Sequence, residues 1–192
     1  MTGPRGQTRE QIAQTALRLF AERGFGATSL QDIANEMGFT KPALYYYFRS
    51  KDDLLEALAA PALDRLECLA EVIGRHSATP AARRGLLAEL LDLYLEHRGV
   101  MTVFIGDRAA LAHPAIAVRS KQANTQFHEW LAGPGAAFAA RTRAVAAIAA
   151  IRSCVVAFPD TPDDELRAPV LDAARAALGI RPGHVMRLLA DK

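Results

Sequence analysis

Apolar residues along this chain recur at intervals of three and four, and they do not alternate one by one over any sustained stretch. That period belongs to amphipathic helices and argues against half-buried strands, so the chain is expected to be all-α. Asn-Gly and Asp-Gly pairs, the strongest hairpin signals, are absent. Ile12, Ala16, Leu19 and Phe20 mark a first helix over roughly Gln7 to Arg23, closed by Gly24. The residues before it, with Gly3, Pro4 and Gly6, read as a flexible arm. Leu30, Ile33, Ala34 and Met37 form the buried side of a short second helix that Gly38 stops. Thr28 and Ser29 offer its N-cap, and Asp32 supplies an early carboxylate that suits the helix dipole. Thr40 caps a third helix with Pro42 in its first turn, where a missing N–H is harmless. Two short helices joined by a tight glycine turn have the outline of a helix-turn-helix.

The rest of the chain is punctuated in the same way. Ser50 caps a long helix from Lys51 through Leu55, Leu58, Ala62, Leu66, Leu69 and Ile73. Thr79-Pro80 opens another, and Gly99 and Gly106 break the stretch beyond it. Pro114 opens a helix reaching Trp130, with Gly133-Pro134-Gly135 after it. An alanine-rich helix then runs to about Phe158, and a last main helix covers Asp163 to Leu178. Gly179, Pro182 and Gly183 punctuate a short tail.

Composition narrows the class. With 192 residues the chain has room for one to two domains at ~150 residues each. A content of 51% hydrophobic and 23% charged residues excludes a wholly disordered or low-complexity chain. The net charge of +2 permits a nucleic-acid partner without requiring one. The stretch Ala144 to Phe158 is too short for a membrane span and is interrupted by Arg152, so no membrane association is expected. The N-terminus, with Arg5, Arg9 and Glu10, lacks the apolar core of a secretory signal, so a cytoplasmic location is expected. Cys68 and Cys154 lie far apart in apolar helical surroundings and are expected to be reduced core thiols. No histidine spacing completes a metal site, so neither metal nor cofactor is expected.

Once Leu44 and Phe48 enter the core, the third helix is left exposing Lys41, Ala43, Tyr45, Tyr46 and Tyr47. A cation and three aromatic rings are an unusual solvent face for so short a helix. They suit a recognition helix in a major groove, with its N-terminal residues at base edges and its hydroxyls and lysine at phosphates. Tyr47 fits equally well as packing against the next helix, since tyrosine often buries its ring and wets only its hydroxyl.

Gly24-Phe25, Thr28, Ile33-Ala34, Gly38, Leu44-Tyr45, Phe48 and Lys51 together form a specific pattern. In it, residues 8 to 55 resemble the DNA-binding domain of the tetracycline-repressor (TetR) family of bacterial transcription regulators. The resemblance implies an N-terminal three-helix helix-turn-helix domain over residues 1–50. It implies a C-terminal helical domain over 51–192 that dimerises and holds a small ligand. On matching positions it implies DNA contacts from Gln31, from Lys41, Pro42 and Ala43 behind the Thr40 cap, and from Tyr45 and Tyr46. Thr28 and Ser29 suit a phosphate, and Lys51 suits the DNA backbone. Two positions depart from the family pattern: Tyr47, where many members carry histidine, and Pro42, where a smaller residue is usual.

The implied partners are a double-stranded, pseudo-palindromic DNA operator, a second copy of the chain and a small-molecule effector. For the homodimer, Val145, Ile148, Ala149, Arg152 and Val156 share one face, and Leu166, Val170, Ala173 and Ala177 another; alanine-rich faces let helix axes approach closely. For an effector, Leu66, Tyr94, Met101, Phe104, Ile105, Phe127, Trp130 and Leu131 offer apolar and aromatic surface, with Arg152 as the polar candidate. The same cluster reads as plain core, which leaves open a regulator that answers to a protein partner or to no ligand. His128-Glu129 has no second histidine at metal-binding spacing, and no phosphate loop or nucleophile elbow appears, so no enzymatic activity is expected.

Overall fold

The structure, a computed structural model, describes residues 4–181 and 183–189. Among the described residues every regular element is a helix: α1 (Pro4–Arg23), α2 (Leu30–Glu36), α3 (Lys41–Tyr45), α4 (Lys51–Gly74), α5 (Pro80–Glu96), α6 (Arg98–Gly106), α7 (Arg108–Leu111), α8 (Pro114–Ala132), α9 (Phe138–Ala157) and α10 (Asp163–Leu178). The arm expected over the first ten residues is therefore helical from Pro4, with Pro4 at the position where its missing N–H is harmless; residues 1–3 lie outside the described residues. Gly99 does not break the chain but sits inside α6, and Pro61 lies inside α4 without ending it. Cys68 is exposed and Cys154 half-buried, so the reading of both as core thiols is corrected: each falls outside the stripe that its helix buries. No described helix is long and apolar enough to cross a membrane.

The helices form two compact units. The first runs to Pro61 and adds Gly99–Ala117 from later in the chain. Its core is built from Ile12, Ala16, Leu19 and Phe20 of α1, Ile33 and Ala34 of α2, Leu44, Phe48 and Leu54. Phe25 joins it by setting its ring edge-on to Phe20, 5.2 Å between centroids. Left-handed glycines, Gly24 at φ +88° and Gly38 at φ +68°, let the chain leave α1 and α2 sharply.

The second unit holds Ala62–Arg98 and resumes at Val118. Its α5, α9 and α10 pack against one another, burying Leu86, Leu90 and Tyr94 with Ile148, Ile151, Val155, Leu166 and Val170. Trp130 donates its indole N–H to the His76 carbonyl, 2.9 Å. Arg119 forks onto Glu67 with two bonds of 2.6 Å and onto Asp64 with a third. Beyond α10 the described residues are non-helical, and 183–189 lie along α5. The Arg84 guanidinium donates to the carbonyls of His184 (2.7 Å) and Arg181 (3.2 Å), and the Met186 N–H donates to Ala81, 3.3 Å. Leu188 is buried there. Gly85 makes the seat: a Cβ on it would collide with the Met186 carbonyl oxygen. Pro182, read as part of the tail's punctuation, lies outside the described residues.

Candidate nucleic-acid interface

The first unit presents α3 on its surface. Leu44 and Phe48 are fully buried, which turns the opposite side outward. Lys41, Pro42 and Ala43 are exposed, Tyr45 is 45% and Tyr46 61% exposed, and Tyr47 is half-buried. Thr40 caps the helix by accepting the Ala43 N–H at 3.4 Å. The Lys41 ammonium lies 5.8 Å from the Tyr45 ring centroid, and Tyr46 and Tyr47 meet edge to face at 5.2 Å. A short segment with a buried apolar side and an open cationic, aromatic side has the donors for phosphates and base edges, and the apolar surface for thymine methyl groups, that DNA recognition uses.

Other expected DNA residues are engaged within the protein. Thr28 is buried, its hydroxyl turned to the Gly24 (2.9 Å) and Leu19 (3.3 Å) carbonyls at the end of α1. Ser29 is the N-cap of α2 in a closed capping box: its Oγ accepts the Asp32 N–H, and Asp32 accepts the Ser29 N–H at 2.8 Å. The Ser29 hydroxyl, followed by its backbone N–H, holds the Asp32 carboxyl below its ordinary range. Gln31 is exposed and donates to Asn35. Lys51 is half-buried, and its Nζ donates to the Phe25 carbonyl at 2.6 Å.

Two cations that the sequence reading passed over stand beside α3. Arg5 donates to the Tyr46 hydroxyl and lies 5.1 Å from its ring centroid; Arg9 lies 4.5 Å from the Phe48 centroid. Their spacing of four residues, one helix face, was the available signal.

The remaining candidates divide between the units. In the second, Leu66, Tyr94, Phe127 and Leu131 are buried, Trp130 is half-buried and Arg152 is exposed. Burial pushes the Tyr94 phenol up to about 12, slightly opposed by Arg152. In the first, Phe104 is buried and Met101 and Ile105 are half-buried. A separate groove of about 750 Å³ in the second unit runs between the end of α8 and the start of α9, past His128, Gly133, Phe138, Arg141 and Val145, and is lined by none of the expected effector residues. Of the dimer candidates, Ile148, Leu166 and Val170 are buried within the unit. Val145, Arg152 and Ala173 are exposed, and Ala149, Val156 and Ala177 are half-buried.

Residues 12–58 match the model of the bacterial regulatory proteins of the tetR family. Among curated relatives, the transcriptional repressor KstR2 of Mycolicibacterium smegmatis is 31% identical over 107 residues, 53% of this chain and 49% of that protein. The chain spans about half or less of the length of the curated relatives it matches. A TetR-family regulator from Bordetella parapertussis superposes with a TM-score of 0.72 over 90% of this chain and 95% of that one, at 19% identity. The SmeT–triclosan complex does so with 0.60 over 96% of this chain and all of that one, also at 19%. These two likenesses speak to the fold alone. The curated relatives are named as transcriptional regulators or repressors rather than enzymes. Over residues 12–58, which run from α1 to the start of α4, this chain is similar to the tetR family of bacterial regulatory proteins.

Proposed function

We propose that this chain is a homodimeric transcriptional regulator, acting as a repressor, that reads a pseudo-palindromic DNA operator and releases it on binding a small, largely apolar effector. Residues 1–50 carry the DNA reading, and residues 51–192 supply dimerisation and the effector response. The observation that carries the reading is the segment around α3: Lys41 and Tyr45 on the helix and Tyr46 at its C-cap stand open to solvent, while Leu44 on the helix and Phe48 just beyond it are fully buried. Dimerisation rests on the exposed or half-buried stripe of Val145, Ala149, Arg152 and Val156 beside Ala173 and Ala177. A dimer would span half-sites about one helical turn, ~34–36 Å, apart. The repressor role rests on relatives such as KstR2, and the effector on the triclosan-bound neighbour in fold.

The test is selection of duplexes from a randomised pool by the full-length protein, followed by titration of the winner. A two-fold sequence pattern with a steep salt dependence supports the reading; recovery of no preferred duplex ends it. The complete burial of Tyr94 and Phe127 favours a second reading, in which that cluster is packed core and the regulator answers to a protein partner or to nothing. A thermal-shift screen separates the two, because a ligand of the folded state raises stability by RT ln(1 + [L]/Kd) and a pocketless domain responds to none.

A further inference from the structure

Asp107 lies between α6 and α7, far in sequence from the helix-turn-helix, yet within the same compact unit. One carboxylate oxygen caps α7, accepting the N–H groups of Ala109 (2.8 Å) and Ala110 (3.3 Å). The other accepts the N–H of Phe25 at 2.6 Å, 82 residues away. Phe25 opens the turn between α1 and α2, and its own carbonyl is held from the other side by the Lys51 ammonium, 2.6 Å. A carboxylate on the N–H and an ammonium on the C=O leave this residue little freedom, since hydrogen bonds to ionised groups are about twice as strong as neutral ones. Four residues later Ser29 caps the start of α2, and α2 carries α3 against it.

Two further contacts seat the same segment. Gly99 approaches α1 so closely that a Cβ on it would stand 3.0 Å from the Leu17 side chain. His113 places Nε2 3.7 Å from Glu56 and 3.9 Å from Asp52 on α4. Segment 99–117 thus touches the start of α4, the side of α1 and the turn that sets α2.

We propose that Asp107 is a positioning residue for DNA reading: by gripping the Phe25 amide opposite Lys51, it fixes the turn from which α2 and the recognition helix α3 are hung. The inference rests on the DNA-binding reading above.

Asp107→Asn separates the two jobs of the carboxylate. Asparagine caps a helix about as well as aspartate, but its amide nitrogen would face the Phe25 N–H donor to donor. Asp107→Ser keeps a cap and is too short for the grip. The full-length proteins are compared on the duplex selected by the wild type, at a temperature where circular dichroism shows each folded. Both variants are expected to bind roughly tenfold more weakly, the equivalent of one hydrogen bond to a charged group. The salt slope should stay at the wild-type value, because no phosphate contact is removed. The Phe25 amide should exchange with solvent faster.

Wild-type affinity in both variants overturns the proposal and leaves the DNA reading standing. So does weakened binding with the Phe25 amide still protected, or weakened binding that a stabilising osmolyte restores, which would make Asp107 a residue of the fold only. A wild type that selects no duplex takes down the DNA reading and this inference with it.

Discussion

Lys51, the first residue of α4, points its ammonium at the backbone of Phe25, 2.6 Å from the carbonyl oxygen and 4.3 Å from the centroid of the Phe25 ring. Lys51→Ala removes a charge-assisted hydrogen bond and a cation–π contact, and is expected to cost about 1–2 kcal/mol of stability at this half-exposed site. Binding to all duplexes should weaken alike, with the log–log salt slope changed by less than the ~0.9 of a single phosphate contact. Unchanged melting with the slope reduced by a full unit would instead make Lys51 a phosphate ligand.

Lys41 is exposed at the first turn of α3, where a recognition helix meets base edges. Lys41→Ala is expected to relax preference at one operator position by ~1–3 kcal/mol while the protein melts normally. A competition series with every single-base substitution of the selected duplex reads this directly. Equal losses across all substitutions would show that Lys41 meets only phosphate.

Ala173 is exposed on α10 and Ala149 half-buried on α9, so an arginine at either position disturbs little within one chain. Ala149→Arg and Ala173→Arg are expected to give folded, helical monomers that have lost operator binding. Light scattering that finds both variants still dimeric would move the interface to another face.

Gly85 costs α5 about 1 kcal/mol in helix propensity relative to alanine, yet alanine has no room beneath the Met186 carbonyl. Gly85→Ala should lift residues 183–189 from α5 and expose Leu188, whose burial is worth about 1.5–3 kcal/mol. Faster proteolysis after Arg187 and a lower melting temperature are expected. A more stable variant would show that the segment contributes nothing.

The Asp107 carboxyl is pushed up by burial, but the N–H groups of Phe25, Ala109, Ala110 and Gly26 outweigh it and hold it below the ordinary aspartate value. A depressed acid stabilises the fold fully above its unfolded pKa, ~3.9 for aspartate, and loses that contribution as pH falls through the lower folded value. Protection of the Phe25 amide should therefore persist past the ordinary aspartate value and fail only as pH falls through the lower folded value, with Asp107→Asn indifferent to pH over the same range. Loss of protection near neutrality would point to a different group.

Helix ends were legible in the sequence because caps are local. Thr79 with Pro80, Thr40 with Pro42, and the run from Asp163 to Leu178 each carry their signal within a few residues, and the structure places helices there. The outward face of α3 was legible too, since burying Leu44 and Phe48 leaves Lys41, Tyr45 and Tyr46 nowhere else to go. The features that escaped depend on partners far along the chain. Gly99 read as a break, although its missing Cβ admits Leu17 of α1. Asp107 stands 82 residues from the amide it grips, and Arg84 stands 100 from the His184 carbonyl. A periodicity of three or four residues carries no trace of such pairs. Thr28 misled for a related reason: a hydroxyl just before a helix reads as its cap, but here it serves the end of the preceding one.

The compact unit that holds α1, α2 and α3 is discontinuous in sequence, closed by a segment that arrives only after α5. A chimera made by joining the N-terminal residues of this chain to the helices of another protein would have to respect that discontinuity. For this chain a graft cut near Pro61 would carry Lys51 but leave Asp107, Gly99 and His113 behind. The recipient would then supply its own α6–α7 elbow, and whatever side chain it places opposite the Phe25 amide would decide how well the borrowed head still reads its operator.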